Sequence, residues 1–289
     1  MRLANPWWFP YIDAAPGDLR IFEVEGQQSV SLAGPWTYSK TMEPALPAYL
    51  STQEVSSALY NGMIAPLVNF GIAGVIWYQG ENNGDRGAQY RRLFPALIQD
   101  WRIRFRQGYT PFLFVQLANC GTPTELAEPT GWPFLREAQD QALQMPLTGM
   151  AVAIDVGEAR DIHPKNKAAV GERLARHALK LAYGQPAIAT DGPRFRSVEF
   201  AAGQATVLFD HATGLRTRDG AAPKSFAVAG QDRVFHRAEA KIVDERLVVA
   251  SAEVGDPVAV RYAWARNPLV NLENSEGLPA APFRTDAWE

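Results

Sequence analysis

The sequence contains little cysteine: Cys120 is the only one among 289 residues. A single thiol excludes an intramolecular disulfide framework and a thiolate metal cluster. The chain also lacks an apolar run of about 18 residues, which a membrane-spanning helix requires. Its start, MRLANPWWFP, lacks the basic and apolar stretches of a secretory signal. We therefore expect no disulfide and no membrane segment, and the sequence leaves the cellular compartment undetermined.

Positive charge is not in excess either. The 28 basic and 31 acidic residues give a formal net charge of −3, so we expect no basic surface for nucleic acid or anionic lipid. None of the four histidines has a second His or Cys at metal-ligand spacing, which leaves a metal site unsupported. Eight Trp and nine Tyr suit either a hydrophobic core or a sugar-stacking surface.

Hydrophobic patterning divides the chain into three parts. Residues 1–58 are irregular, with one predicted strand at Leu19 to Val24 (LRIFEV). Residues 59–185 alternate buried strands with amphipathic helices, which predicts a parallel sheet covered by helices. Residues 190–289 show short alternating segments, which predict an all-β, sandwich-like domain. The α/β elements are strands at Ala73 to Gln79, Pro111 to Leu117 and Gly149 to Val156, and helices at Ala88 to Arg106, Phe134 to Met145 and Lys165 to Leu181.

A histidine and an aspartate follow the third predicted strand. In an open parallel sheet, ligands bind outside the carboxyl ends of the strands. Asp161 can accept the imidazole N–H of His163, fix its tautomer and support the charge formed when the ring takes a proton from a nucleophile. The alternative is a helix cap at Asp161 and a surface residue at His163. The residues alone favour the two readings equally.

The first predicted strand is followed by Gln79, Gly80 and Glu81 and then by two asparagines. An amide, a glycine and a carboxylate at a strand end suit a binding or oxyanion site. A tight turn followed by a helix start explains the same residues. Glu81 with Asp161 would also suit a glycosidase pair, although a carboxylate pair needs no adjacent imidazole such as that of His163.

Several long motifs, in order, resemble the sialate O-acetylesterase family, a branch of the SGNH or GDSL-type esterases. The matching stretches are LYNGMIAPL (59–67), GVIWYQGENN (74–83), QYRRLFPALIQDWR (89–102), PFLFVQLAN (111–119), DIHPKNKAAVGERLA (161–175) and NPLVNLENSEGLPAAPFRTD (267–286). The resemblance implies a three-layer SGNH-hydrolase-like α/β domain with an appended β domain. It also implies removal of O-acetyl groups from sialic acid or related sugars, in sialoglycans among others, without a cofactor.

The resemblance also implies roles for individual residues. His163 would be the base of a Ser-His-Asp site and Asp161 its orienting carboxylate. Gln79 would donate to the oxyanion, Gly80 and Glu81 would support it, and Asn61 of the LYNGM stretch would lie at the oxyanion or substrate. Family members are often periplasmic, secreted or lysosomal.

The family's serine, in a GQSN-type segment upstream of LYNGM, has no clear counterpart in this sequence. Gly26 to Ser29 (GQQS) is the nearest match, which makes Ser29 a weak candidate nucleophile. We therefore expect residues 1–58 to be the remnant of a truncated hydrolase domain, and the sheet to expose an edge that favours self-association. A catalytically inactive homologue or a glycan-binding protein is the alternative function.

Overall fold

The computed structural model describes residues 20–22, 29–31, 55–129 and 131–288. The chain forms two compact units, Met1–Leu59 and Tyr60–Glu289. In the first unit, strand β1 (Arg20–Phe22) pairs antiparallel with β2 (Ser29–Ser31). The strand predicted at residues 19–24 is thereby confirmed in its centre, and β2 is a further strand that the prediction missed.

The second unit contains a three-stranded sheet in the order β3-β4-β5, and the sheet is parallel, as predicted. Its strands are β3 (Val75–Trp77), β4 (Phe112–Gln116) and β5 (Thr148–Val152), and its helices are α1 (Gly87–Phe105), α2 (Trp132–Gln141) and α3 (Lys167–Leu181). Short helical turns occupy Tyr60–Ile64, Ala65–Leu67, Glu81–Asn83 and Ala142–Gln144. Every predicted α/β element is present with slightly different ends.

Helices cover both faces of this sheet, because alternate strand residues point to opposite sides. Phe112 and Phe114 face α1 and α2, where they join the larger hydrophobic core. Leu113 and Val115 face α3 and join a smaller core with its Val170. The described α/β part is therefore three layers deep, helix on sheet on helix.

The expectation that the first parallel strand is buried on both faces was wrong. Strand β4 is buried at every position, but Ile76 in the middle of β3 is 71% exposed. β3 is an edge strand, and α3 packs mainly against β4 and β5, so the face of Ile76 stays uncovered among the described residues. An exposed sheet edge that favours self-association stays a prediction.

The C-terminal part is all-β, as predicted, but it differs from a sandwich. A single seven-stranded antiparallel sheet runs in the order β14-β12-β9-β10-β11-β7-β6, with a separate pair of β13 and β8. The strands are β6 (Arg194–Ala201), β7 (Gln204–Asp210), β8 (Arg216–Thr217), β9 (Phe226–Ala229), β10 (Phe235–Val243), β11 (Arg246–Ala250), β12 (Ala259–Tyr262), β13 (Leu272–Glu273) and β14 (Phe283–Arg284).

The sheet curls until its two edges meet. Phe195 in β6 stacks on Phe283 in β14 with ring centroids 4.8 Å apart. A register shift between Phe195 and Ser197 bends β6 at this point, as bulges do. A curled sheet buries the same alternating side chains as two packed sheets do, so the sequence pattern does not distinguish them. The larger hydrophobic core is continuous from the α/β part into this sheet.

Candidate active site

The loops after the three parallel strands lie at one edge of the sheet, because parallel strands share the direction of their carboxyl ends. Gln79 follows β3, Asn119 follows β4, and the loop from Asp155 to His163 follows β5. Lys167, at the start of α3, places its ammonium 4.9 Å from the ring centroid of Tyr78. The segment that follows β3 and the segment that follows β5 therefore approach each other at this edge of the sheet.

Asp161 and His163 are neighbours in space, and their loop is exposed. The distance from His163 Nδ1 to Asp161 Oδ1 is 3.6 Å, which is longer than a hydrogen bond. The same carboxylate oxygen accepts the backbone N–H of His163 at 2.8 Å. The His163 side chain is 85% exposed. Asp161 thus orients the histidine through the backbone, and the second ring nitrogen is accessible.

Gln79 lies at the centre of a hydrogen-bond network that fixes its side chain. Its Oε1 accepts the hydroxyl of Tyr90 at 3.0 Å, and its Nε2 donates to Asn83 Oδ1 at 2.8 Å. Its backbone oxygen accepts Gln139 Nε2 at 3.2 Å. Burial raises the pKa of the Tyr90 hydroxyl to about 12, so at neutral pH it stays a donor. One of the two N–H groups of Gln79 is thus engaged by Asn83.

Gly80 meets a close contact that only glycine allows. Its φ is +151°, and a Cβ atom would lie 3.0 Å from Leu135 and 3.2 Å from Gln139. Glu81 is half-buried and begins the short helix that follows. Burial, followed by the charge of Glu81, raises the pKa of Tyr78 to about 12. Glu81 is thus close enough to act electrostatically on the residue that precedes Gln79.

Asn61 and Ser29 are less well connected to these residues. Asn61 is exposed on the helical turn Tyr60–Ile64, and the described hydrogen bonds do not join it to the other candidate residues. Ser29 is the first residue of β2, opposite Phe22, and its side chain lies outside the described part of the structure. Within residues 55–129 and 131–288, the ion-pair partner of the His163 ring is Asp161. None of the hydrogen bonds described there joins a serine to the His163 ring.

Two buried arginines that the sequence analysis did not single out hold the site loops. Arg136 of α2 is fully buried, and burial lowers the pKa of its guanidinium to about 9, so it is charged at neutral pH. It donates four hydrogen bonds to backbone oxygens, which belong to Leu117, Ala118, Ala265 and Arg266. The sequence gives no signal that Arg136 is buried, because an arginine in an amphipathic helix is expected on the solvent face of the helix.

The second buried arginine anchors the start of the loop after β5. Arg173 of α3 makes a two-pronged ion pair with Asp155 at 2.6 and 2.9 Å, and Arg218 adds a contact at 3.0 Å. Burial pushes the pKa of the Asp155 carboxyl upward, but the hydrogen bonds and charges of the two arginines outweigh it. The resulting pKa lies below the ordinary value. Asp155 is therefore a charged anchor for the loop.

The described residues include no cluster of three or more metal-binding side chains. They also include no helix that is both long and apolar enough to cross a bilayer.

Comparison with known proteins identifies the relatives of this chain. Residues 48–180 match a family model described as a carbohydrate esterase, sialic acid-specific acetylesterase. The mouse sialate O-acetylesterase is 34% identical, with 78% of this chain and 47% of the mouse protein aligned. The human sialate O-acetylesterase is 31% identical, with 78% and 48% aligned. This chain thus spans about half the length of the curated relatives it matches.

A solved structure agrees with the sequence comparison. The crystal structure of a carbohydrate acetylesterase from Xanthomonas citri is 46% identical and superposes with a TM-score of 0.74, covering 80% of this chain and 54% of that one. Residues 48–180, which match the family model, contain the three parallel strands, the Gln79 segment and the Asp161 loop. The resemblance predicted from the sequence is confirmed: residues 48–180 of this chain match the sialic acid-specific acetylesterase family of carbohydrate esterases.

Proposed function

We propose that this chain is a carbohydrate esterase on an SGNH-like core, which removes O-acetyl groups from sialic acid or a related sugar by a Ser-His-Asp type mechanism. The observation that carries the proposal is the loop after β5. It holds a carboxylate 3.6 Å from an exposed histidine ring at the same sheet edge as the Gln79 network. Both lie inside the region that matches the acetylesterase family.

His163 would take the proton from a serine hydroxyl as that oxygen attacks the acetyl carbonyl. It would then return a proton to the sugar oxygen that leaves. Asp161 would stabilise the imidazolium. The distance of 3.6 Å between His163 Nδ1 and Asp161 Oδ1 is longer than a hydrogen bond, but catalytic hydrogen bonds often shorten only when substrate is bound.

Gln79 would stabilise the negative charge that develops on the carbonyl oxygen. One N–H of Nε2 is engaged by Asn83, and the second is the donor we assign to the oxyanion. Tyr90 holds the other end of the amide, which keeps the nitrogen directed away from it. Loss of one such donor typically lowers the rate by about 10² to 10³. Gly80 and Glu81 would shape this loop, and Asn61 would contact the substrate or the oxyanion.

The nucleophile remains to be assigned, with Ser29 as the weak candidate. A glycan-binding protein without turnover is the second candidate function. It is favoured by one observation: among the described residues, no serine is hydrogen bonded to His163. The two functions differ in a single measurable property, which is the release of acetate.

The test is acetate release from an activated acetyl ester and from O-acetylated sialic acid. We expect turnover by the unaltered chain and a loss of about 10³-fold or more in His163→Ala. His236→Ala is the matched control, because His236 Nδ1 lies 3.0 Å from Glu253 in a second histidine-carboxylate pair far along the chain. Equal rates in all three proteins would refute the assignment of His163. Binding of the sugar without acetate release would favour the glycan-binding function.

A further inference from the structure

Two asparagines form a relay of hydrogen bonds between the loop after β5 and the closing segment of the chain. The backbone N–H of Gly157 donates to Asn119 Oδ1 at 2.8 Å. Asn119 Nδ2 donates to Asn267 Oδ1 at 2.6 Å. Asn267 Nδ2 donates to the backbone oxygen of Gly121 at 2.5 Å. The relay thus begins four residues before Asp161.

The direction of every bond in this relay is fixed. A backbone N–H can only donate, so Asn119 must present its oxygen to Gly157 and its nitrogen to Asn267. Asn267 must then accept with its oxygen and donate with its nitrogen to a backbone oxygen, which can only accept. Asn267 is nearly fully buried and Asn119 is half-buried, so solvent competes little for these bonds.

The relay joins a loop that has few other restraints. A Cβ atom at Gly157 would overlap the backbone oxygen of Asn119, so the two backbones touch. The N–H of Gly121 donates back to the Ala159 oxygen at 3.1 Å. Glu158 accepts the backbone N–H of Lys165 at 2.9 Å and closes the loop at its far end. Residues 157–165 contain no regular helix or strand, so these contacts, together with the bridge between Glu158 and Asp161 within the loop, hold it in place.

Asn267 differs in this respect from the other two buried asparagines of the closing segment. Asn271 is equally buried and bonds to residues 219, 222 and 224, all within the β part. Asn274 bonds to the backbone oxygens of Asp191 and His211. Of the three, Asn267 is the one whose described side-chain bonds reach the loop after β4, and Asn119 of that loop continues the relay to the loop after β5.

We infer that Asn267, acting through Asn119, is a positioning residue that holds the Asp161 and His163 loop in place for the reaction. The inference rests on the proposed function for its kinetic consequence. The C-terminal β part would thereby contribute to catalysis without touching the substrate, and the NPLVN stretch at residues 267–271 would have a role beyond folding.

The experiment compares Asn267→Ala with Asn271→Ala, which removes a similar number of bonds from an equally buried asparagine. Two readouts are needed: kcat and KM for acetate release, and amide hydrogen exchange of residues 157–165. We expect Asn267→Ala to lower kcat by about 10-fold with little change in KM, and to speed exchange in the loop. Asn271→Ala should lower only thermal stability.

Unchanged loop exchange in a folded Asn267→Ala would overturn the inference, and so would an equal loss of kcat in Asn271→Ala. If Asn267→Ala fails to fold, Asn119→Ala breaks the same relay from the α/β side. Unchanged loop exchange in Asn119→Ala, or an equal loss of kcat in Asn271→Ala, would then overturn the inference. A chain that releases no acetate would count against the proposed function, while the exchange measurement would still decide whether the relay holds the loop.

Discussion

Replacing Arg136 by methionine tests how the site loops are held. Methionine keeps much of the buried volume and removes all four hydrogen bonds to the backbone oxygens of residues 117, 118, 265 and 266, whose lengths are 2.6 to 2.9 Å. Each oxygen left without a donor in a buried site costs about 1 to 3 kcal/mol, or about 8 kcal/mol in all at the middle of that range.

Part of this loss is offset, since the mutant no longer buries a charge. The penalty for burying one ion is several kcal/mol in real proteins. We therefore expect the free energy of unfolding to fall by about 3 to 5 kcal/mol, a large share of the stability of a typical domain.

Urea unfolding followed by tryptophan fluorescence measures this change, since the chain has eight tryptophans. Arg91→Met is the matched control. Arg91 lies on α1, is 43% exposed and makes a single surface ion pair with Glu137, so its loss should cost less than about 1 kcal/mol. A loss below about 1 kcal/mol in Arg136→Met would refute the view that these four hydrogen bonds hold the site loops.

Two further predictions follow from the buried polar groups. Burial lowers the pKa of His177, whose Nε2 contacts the Met150 oxygen at 3.1 Å, while the unfolded chain titrates near about 6.5. The unfolded state therefore binds the proton first, so the stability that is present above about pH 6.5 should fall as the pH drops below this value. The urea midpoints of His177→Gln at pH 7.5 and 5.5 should differ less than those of the unaltered chain. An equal difference in the two proteins would contradict this prediction. Tyr90→Phe removes the donor to Gln79 Oε1 and should lower kcat several-fold at a stability cost of about 1 kcal/mol; unchanged acetate release would show that the hydroxyl does not orient Gln79.

The strands and helices were predictable because their signals are local. β4 reads as a continuous apolar run and is buried at every residue. β3 has a similar sequence but lies at the edge of the described sheet, and exposure of Ile76 depends on which neighbours are present. Strands β10 and β11 are joined at Asp244 and Glu245, which turn the chain with positive φ. Neither is glycine, so the usual turn signal was missing.

The site was predictable only in part. Asp161 and His163 are two residues apart, so chain connectivity alone places them together. The contacts that hold their loop join residues more than 30 and more than 140 positions apart, namely Gly157 with Asn119 and Asn119 with Asn267. Such pairs are brought together by the tertiary fold, and no local pattern announces them. Asn119 does carry a local signal, because it lies shortly after the end of a buried strand.

The central claim is that His163 activates a serine of this chain. The most direct measurement is covalent labelling by an organophosphonate, followed by peptide mapping. We expect one labelled serine per chain in the unaltered protein, and labelling slowed by about 10³-fold in His163→Ala but unchanged in His236→Ala. Absence of labelling in the unaltered chain, or labelling that does not depend on His163, would contradict it.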